Sequence, residues 1–214
     1  MKLGELKLEA LMLISPLASL RCDTSNDEEL SGKIMELFED SNYSDYLAAM
    51  PGAFNRCFTS LESKGLVPFK SYEIEKGRLR RKGTCLCFGL DKIADLGKVV
   101  NVYCYSEHSN PCKCEYSYLD RELLIRDYYS GTFIIEYMPR ITRITNVSSE
   151  AELIELDEDV CALIPYFIKS ELLRAENEQE AAVARNVYEV MASEIPCKYD
   201  GYQASVESVY EVGI

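Results

Sequence analysis

Apolar residues near the start of the chain recur at helical spacing. Leu3, Leu6, Ala10 and Leu13 fall at i, i+3, i+7 and i+10, which predicts an amphipathic helix ended by Pro16. The polar stretch CDTSNDEEL follows and offers Asn26 and Asp27 as N-cap residues, with acids in the first turn. Leu30, Ile34, Leu37 and Phe38 set a second stripe. A third runs through Tyr43, Tyr46, Leu47, Met50, Phe54, Cys57, Phe58 and Leu61, with Gly65 where a C-terminal cap belongs. Pro51-Gly52 falls inside it and predicts a kink or a break. Cys57 lies on the apolar face and reads as a small core residue.

The period changes at Leu66. From 66 to 147 the chain is rich in Val, Ile, Tyr and Phe, alternating at period two between Gly, Asp and Asn-Pro punctuation. This predicts about five to seven short strands. Helical spacing resumes near Asp157. The acidic run Glu155, Asp157, Glu158 and Asp159 suits a helix N-terminus; it lacks the glycine and spacing of a calcium loop. Leu163, Phe167 and Leu172 share one side of the next helix, and Pro165 sits in a first turn or marks a bend. In the last predicted helix, EQEAAVARNVYEVMASEI, Val183, Val187 and Met191 form a stripe, while Ala181, Ala182 and Ala184 allow close helix approach. Pro196 stops it. The tail CKYDGYQASVESVYEVGI alternates Val206, Ser208, Tyr210, Val212 and Ile214, which predicts an edge strand or an arm reaching a neighbouring subunit.

The order is therefore α–β–α. It predicts an α+β fold, with a helical bundle from the N- and C-terminal helices (1–65 with 150–195), an inserted antiparallel β-rich domain (66–149) and an extended C-terminal arm (196–214).

A chain of 214 residues can bury a real core. Its 36 acidic and 23 basic residues give a net charge of −13, which repels nucleic acid on average. No stretch approaches the roughly 18 apolar residues of a membrane span. The opening MKLGELKLEALMLISPLASLR has the look of a signal peptide, but Glu5 and Glu9 interrupt its apolar region. The expectation is a reducing cytoplasm, in which the nine cysteines are free thiols.

Candidate chemistry concentrates in CYSEHSNPCKCEY. It holds His108, the one histidine of the chain, with Cys104, Cys112 and Cys114 in a C-x3-H-x3-C-x-C pattern. These four are candidate metal ligands, with Cys85 and Cys87 as further candidates if their strand is adjacent. The spacing matches none of the common zinc frameworks, so packed or free thiols are the expectation, with no cofactor. No nucleophile elbow, phosphate loop or dinucleotide fingerprint occurs, and His108 has no orienting partner at a recognisable spacing. Lys76, Arg78, Arg80, Arg81 and Lys82 crowd into EKGRLRRKG, a candidate contact for an acidic partner or DNA phosphates. Tyr202, Val206, Tyr210 and Val212 are the candidate interaction residues of the arm.

Three stretches taken together, YLAAMPGAFNRCFTSLESKGLVPF, GTFIIEYMPRITRIT and LDEDVCALIPYFIKSELLRAENEQEAAVARNVYEVMASEI, resemble the head-to-tail adaptor (connector) proteins of bacteriophages and prophages. The resemblance runs from about Asp45 to Ile195 and rests on apolar patterns. It implies a non-enzymatic virion assembly protein that forms a ring of identical subunits on the portal. Such a protein helps retain packaged DNA and presents the tail attachment surface. Its implied partners are the portal, tail and neck proteins, further copies of itself, and passing double-stranded DNA read without sequence specificity. No membrane or small-molecule substrate is implied, and the location is the host cytoplasm during assembly and then the virion neck. Asn55 and Arg56 match an Asn-Arg pair of the group and are expected to be structural. The large β insertion and the cysteine hairpin depart from the group's simpler members. Two other readings stand beside it: a Cys/His metal-binding module or enzyme built on 104–114, and a regulatory or nucleic-acid-associated protein using the basic run.

Overall fold

The change of apolar period along the chain separates two kinds of element. The computed structural model describes residues 1–15, 22–105 and 110–196, and among these it holds six α-helices and two four-stranded antiparallel sheets, an α+β fold. Helix α1 (Leu3–Ile14) buries Leu3, Leu6, Ala10 and Leu11. The amide of Lys2 donates to Glu5 Oε2 at 2.7 Å and closes its first turn. Helix α2 (Asp27–Glu39) begins at Asn26, whose side chain accepts from the amides of Glu28 and Glu29. It buries Leu30, Ile34 and Leu37. Phe38, expected on the same stripe, is 45% exposed, because each residue turns the helix by about 100° and carries Phe38 past the buried edge. Gly4 lets α1 approach α2: a Cβ there would stand 2.9 Å from Leu30 Cγ.

Helix α3 (Ser44–Lys64) runs through Pro51 without the break that the proline predicts. The same face is buried on both sides of it, by Leu47 and Met50 before and by Phe54, Cys57, Phe58 and Leu61 after. This packing outweighs the roughly 3 kcal/mol cost of an interior proline. Gly65 caps the helix at φ 69°, its amide donating to the carbonyls of Leu61 and Glu62. Later in the chain, α4 (Glu158–Cys161) and α5 (Ile164–Leu172) are separated at Ala162–Leu163. Pro165 stands in the first turn of α5, where its missing amide costs nothing. Helix α6 (Glu178–Glu194) starts at Asn177, whose side chain accepts from the Glu180 amide at 3.1 Å. Helix α5 packs against α1, α3 and α6, and Leu6, Leu11, Phe54, Phe58, Phe167 and Tyr188 share one core.

The strands are β1 (Lys70–Glu75), β2 (Arg80–Lys82), β3 (Cys85–Gly89), β4 (Leu96–Tyr105), β5 (Cys112–Lys113), β6 (Tyr116–Leu119), β7 (Glu122–Arg126) and β8 (Thr132–Pro139). Among the described residues, eight strands stand where about five to seven were expected. The extra ones are as short as β2 and β5, in which no alternation can develop. One sheet has the order β1-β8-β4-β5 and the other β2-β3-β7-β6. Between them lies a second core, built from Val102, Phe133 and Ile135 of the first sheet and Leu86, Phe88, Leu123 and Ile125 of the second. Val100 and Met138, on the far side of the first sheet, join the helical core instead. The first sheet is thus covered on both faces around Val100 and Met138.

A register irregularity makes this possible. Pairing of β4 with β8 shifts between Leu96 and Lys98 and again between Val99 and Asn101. Strict alternation would turn Val99 and Val102 to opposite faces; the extra residue puts both in the inter-sheet core and leaves Val100 to the helices. Gly97 lies at the first shift, where a Cβ would come within 2.7 Å of the Met138 carbonyl oxygen.

The segment after β8 ties the layers together. Asn55 Nδ2 donates to the Ile144 carbonyl at 2.8 Å, and the Ile144 amide donates back to Asn55 Oδ1 at 2.9 Å. The amides of Leu3 and Gly4 donate to the carbonyls of Glu152 and Glu150, and that of Ile154 donates to Met1. Lys7, 5% exposed, pairs with Glu150 at 2.6 Å beneath this seam.

Candidate functional site

The hairpin strands bring three of the predicted cysteines together. Cys104 and Cys112 are register partners in β4 and β5, so their side chains leave the sheet on one face. Alternation puts Cys114 on that face too, and its amide donates to the Val102 carbonyl at 2.7 Å, continuing the ladder. Cys104 Sγ donates to the Ser130 carbonyl at 2.9 Å, and Cys114 Sγ to the Cys112 carbonyl at 3.8 Å. Burial pushes the Cys104 thiol up, with the neighbouring Cys112 adding to it. Burial, with Cys104 and Cys112 nearby, pushes Cys114 up to about 12. Both thiols serve here as hydrogen-bond donors to backbone carbonyls. Among the described residues, no group of three or more His, Cys, Asp and Glu side chains is arranged to hold a metal ion. His108 lies outside the described residues.

Cys85 and Cys87 do not join this group. Their strand, β3, belongs to the other sheet, between β2 and β7. Leu86 and Phe88 point into the inter-sheet core, so the two cysteines alternate onto the opposite face.

The basic run forms a turn and an edge. Lys76 and Arg78 lie in a single 3₁₀ turn, and Arg80, Arg81 and Lys82 make up all of β2, the edge of its sheet. Each cation has an internal partner. Lys76 Nζ donates to the Tyr129 carbonyl at 2.7 Å, Arg78 lies 3.9 Å from Glu75, and Arg81 binds Asp127 at 2.6 Å. Arg80 binds Glu122, which also faces Lys82 at 3.6 Å. A charged edge strand resists pairing with a strand of another chain. Its position as an edge was the signal that the sequence reading lacked.

A cleft of about 280 Å³ lies between β1 and the segment after β8 and is lined by Lys70, Asp95, Arg140 and Glu155. Lys70 bridges Asp95 at 2.9 Å and Glu155 at 3.2 Å, and Tyr137 donates its hydroxyl to Asp95. Burial raises the Asp95 carboxyl, but the bonds from Lys70 and Tyr137 outweigh it and hold it below the ordinary carboxylate value. These groups satisfy one another, which suits a structural seam.

The helical layer carries contacts that the sequence did not reveal. Arg56 binds Glu171 of α5 at 2.6 Å, and Ser60 shares a 2.8 Å hydrogen bond with the buried Tyr188 hydroxyl of α6. The Arg185 guanidinium lies 4.4 Å from the Phe167 ring centroid and 5.2 Å from that of Tyr188. The buried face of α6 is Ala181, Ala184, Tyr188 and Ala192. The stripe expected from the sequence, Val183, Val187 and Met191, runs from solvent to the edge of this face: Val183 is 59% exposed, whereas Met191 is partly buried against the helical core. The small alanines seat the helix, and their packing decides which face turns inward. Tyr202, Val206, Tyr210 and Val212 lie outside the described residues. Among the described residues, no helix is long and apolar enough to cross a membrane. No family model matches the chain, and no curated protein matches it.

Proposed function

We propose that this chain is a non-enzymatic virion assembly protein, a head-to-tail connector of a bacteriophage or prophage. In this reading a helical bundle from 1–65 with 150–195 carries the β domain of 66–149 as an insertion. The observation that supports it most is the meeting, in one packed layer, of the three stretches that resemble the adaptor group. Asn55 of α3 clamps Ile144 beyond β8, Arg56 reaches Glu171 of α5, and Ser60 reaches Tyr188 of α6. The chain then docks on the portal beside further copies of itself and offers its outer surface to the tail. The net charge of −13 suits a channel wall, because repulsion removes the counterion release that makes DNA stick. The basic edge Arg80–Lys82 is the candidate contact for an acidic neighbour, for which surface pairs worth about 0–1 kcal/mol are readily exchanged.

The test is light scattering of the purified full chain, alone and mixed with the portal protein encoded in the same genome. The expected result is a portal-bound oligomer. A chain that stays monomeric at every concentration and never joins the portal overturns the reading.

A further inference from the structure

We propose that the outer apolar stripe of α6 is the docking surface for the chain's own C-terminal segment, residues 197–214, which returns along the helix it follows. The stripe consists of Val183, Val187, Val190 and Met191, at i, i+4, i+7 and i+8; Val183 and Val190 are well exposed, Val187 is half-buried, and Met191 borders the helical core that covers Ala181, Ala184, Tyr188 and Ala192. A shallow groove of about 320 Å³ follows it, lined by these four residues and Asn186, with no charged side chain. Beyond Val183 and Val187 it continues into a second groove of about 430 Å³, where Leu13 and Tyr166 add apolar wall beside the ion pair of Lys169 and Glu180. A helix that is apolar on two faces has two faces to cover, and the helical core covers only one.

The course of the chain names the occupant. Helix α6 ends at Glu194, within one turn of Met191, so the stripe begins where the segment departs. Three residues into the segment comes Asp200-Gly201, a turn dipeptide. It then carries Tyr202, Val206, Val209 and Tyr210, the same i, i+4, i+7, i+8 spacing as the stripe. Reach is ample: the stripe is about 12 Å long at ~1.5 Å per residue, and residues 197 to 206 can extend about 33 Å at ~3.3 Å per residue. A tether this short gives the segment a local concentration in the millimolar range, which favours it over a second copy. The inference does not rest on the assembly reading, and it assigns the segment to its own chain where the sequence suggested an arm to a neighbour.

A benzophenone photocrosslinker placed at Val190 of the full chain tests this. It is irradiated in an equal mixture of isotope-labelled and unlabelled protein, and the crosslinked peptides are read by mass spectrometry. The expected products join position 190 to peptides of 199–214 within one isotope population, at a yield independent of dilution. The double variant Val206→Asp/Tyr210→Asp should lower that yield at least about tenfold while leaving the far-ultraviolet circular dichroism of the body unchanged. The same crosslinker at Met35, 68% exposed on α2, should not capture the segment. Products that mix the isotopes overturn the proposal in favour of a second copy. Absence of the segment from the products, or equal capture from position 35, overturns it outright.

Discussion

Burial sorts the thiols of this chain more sharply than their spacing does. Cys57 and Cys161 are fully buried, and desolvation pushes both upward, so little thiolate forms at either. Cys112 is exposed at the edge of its sheet. Cys112→Ser should therefore remove one fast-reacting equivalent in a thiol titration of the native protein at neutral pH, and Cys57→Ser should remove none until the protein unfolds. Glu189 gives a second expectation. It lies 2.6 Å from Lys64 Nζ and 3.1 Å from Arg185 Nε. The bond from Lys64, more than any other cause, holds its carboxyl below the ordinary 4.5. The unfolded chain then binds this proton more readily than the folded one. The stabilisation is full above the ordinary value and is lost as the pH falls through the lowered one. Glu189→Gln should flatten the pH dependence of Tm between about pH 5 and 3; profiles that superimpose would show that the pair contributes nothing. The inward position of Cys57 was legible because it stands on a helical stripe. The Lys64–Glu189 pair was not, since 125 positions separate the partners.

Among the elements, α3 shows a local rule overruled by packing. Its apolar stripe predicted one long helix and Pro51 predicted a kink or a break; the helix runs unbroken because its buried face continues on both sides of the proline. Pro51→Ala restores a donor for the Leu47 carbonyl and should stabilise the protein by about 1–3 kcal/mol, seen as a higher urea midpoint at unchanged m-value. An unchanged midpoint would show that the missing bond costs nothing at this position. Helix α6 shows the opposite limit of sequence reading. Its valines mark a real apolar stripe, but periodicity cannot say which of two faces meets the body. The alanine face does so because small side chains let α5 approach, and Tyr188 fills the remaining depth. In β4 the double register shift hides from any period-two count, since alternation fails at the point where Val99, Val100 and Val102 are distributed between two cores.

At the scale of the molecule, the alternation of helical and strand periods was enough to order the chain as α, then β, then α, because the switches at Leu66 and Asp157 are abrupt. The division of eight strands into two sheets was not legible. It depends on pairings such as β1 with β8 and β3 with β7, whose partners are far apart in the sequence. The candidate sites were legible only as far as the hairpin goes. Cys104, Cys112 and Cys114 could be placed on one face from alternation, whereas the carboxylates facing Arg80 and Arg81 come from β7 and the turn that follows it.

The packing of α1 on α5 has a consequence for synthesis on the ribosome. From Leu3 to Ile164, translation at roughly 5–20 residues per second takes about 8–30 s. Until α5 emerges, α1 has α2 to lie against but not the late helix that completes its packing, while the strands between 70 and 139 can already close their own core. The nascent chain is therefore a ready client for a hydrophobic-segment chaperone until the late helices emerge, and the layer that begins the sequence is the last that can be completed.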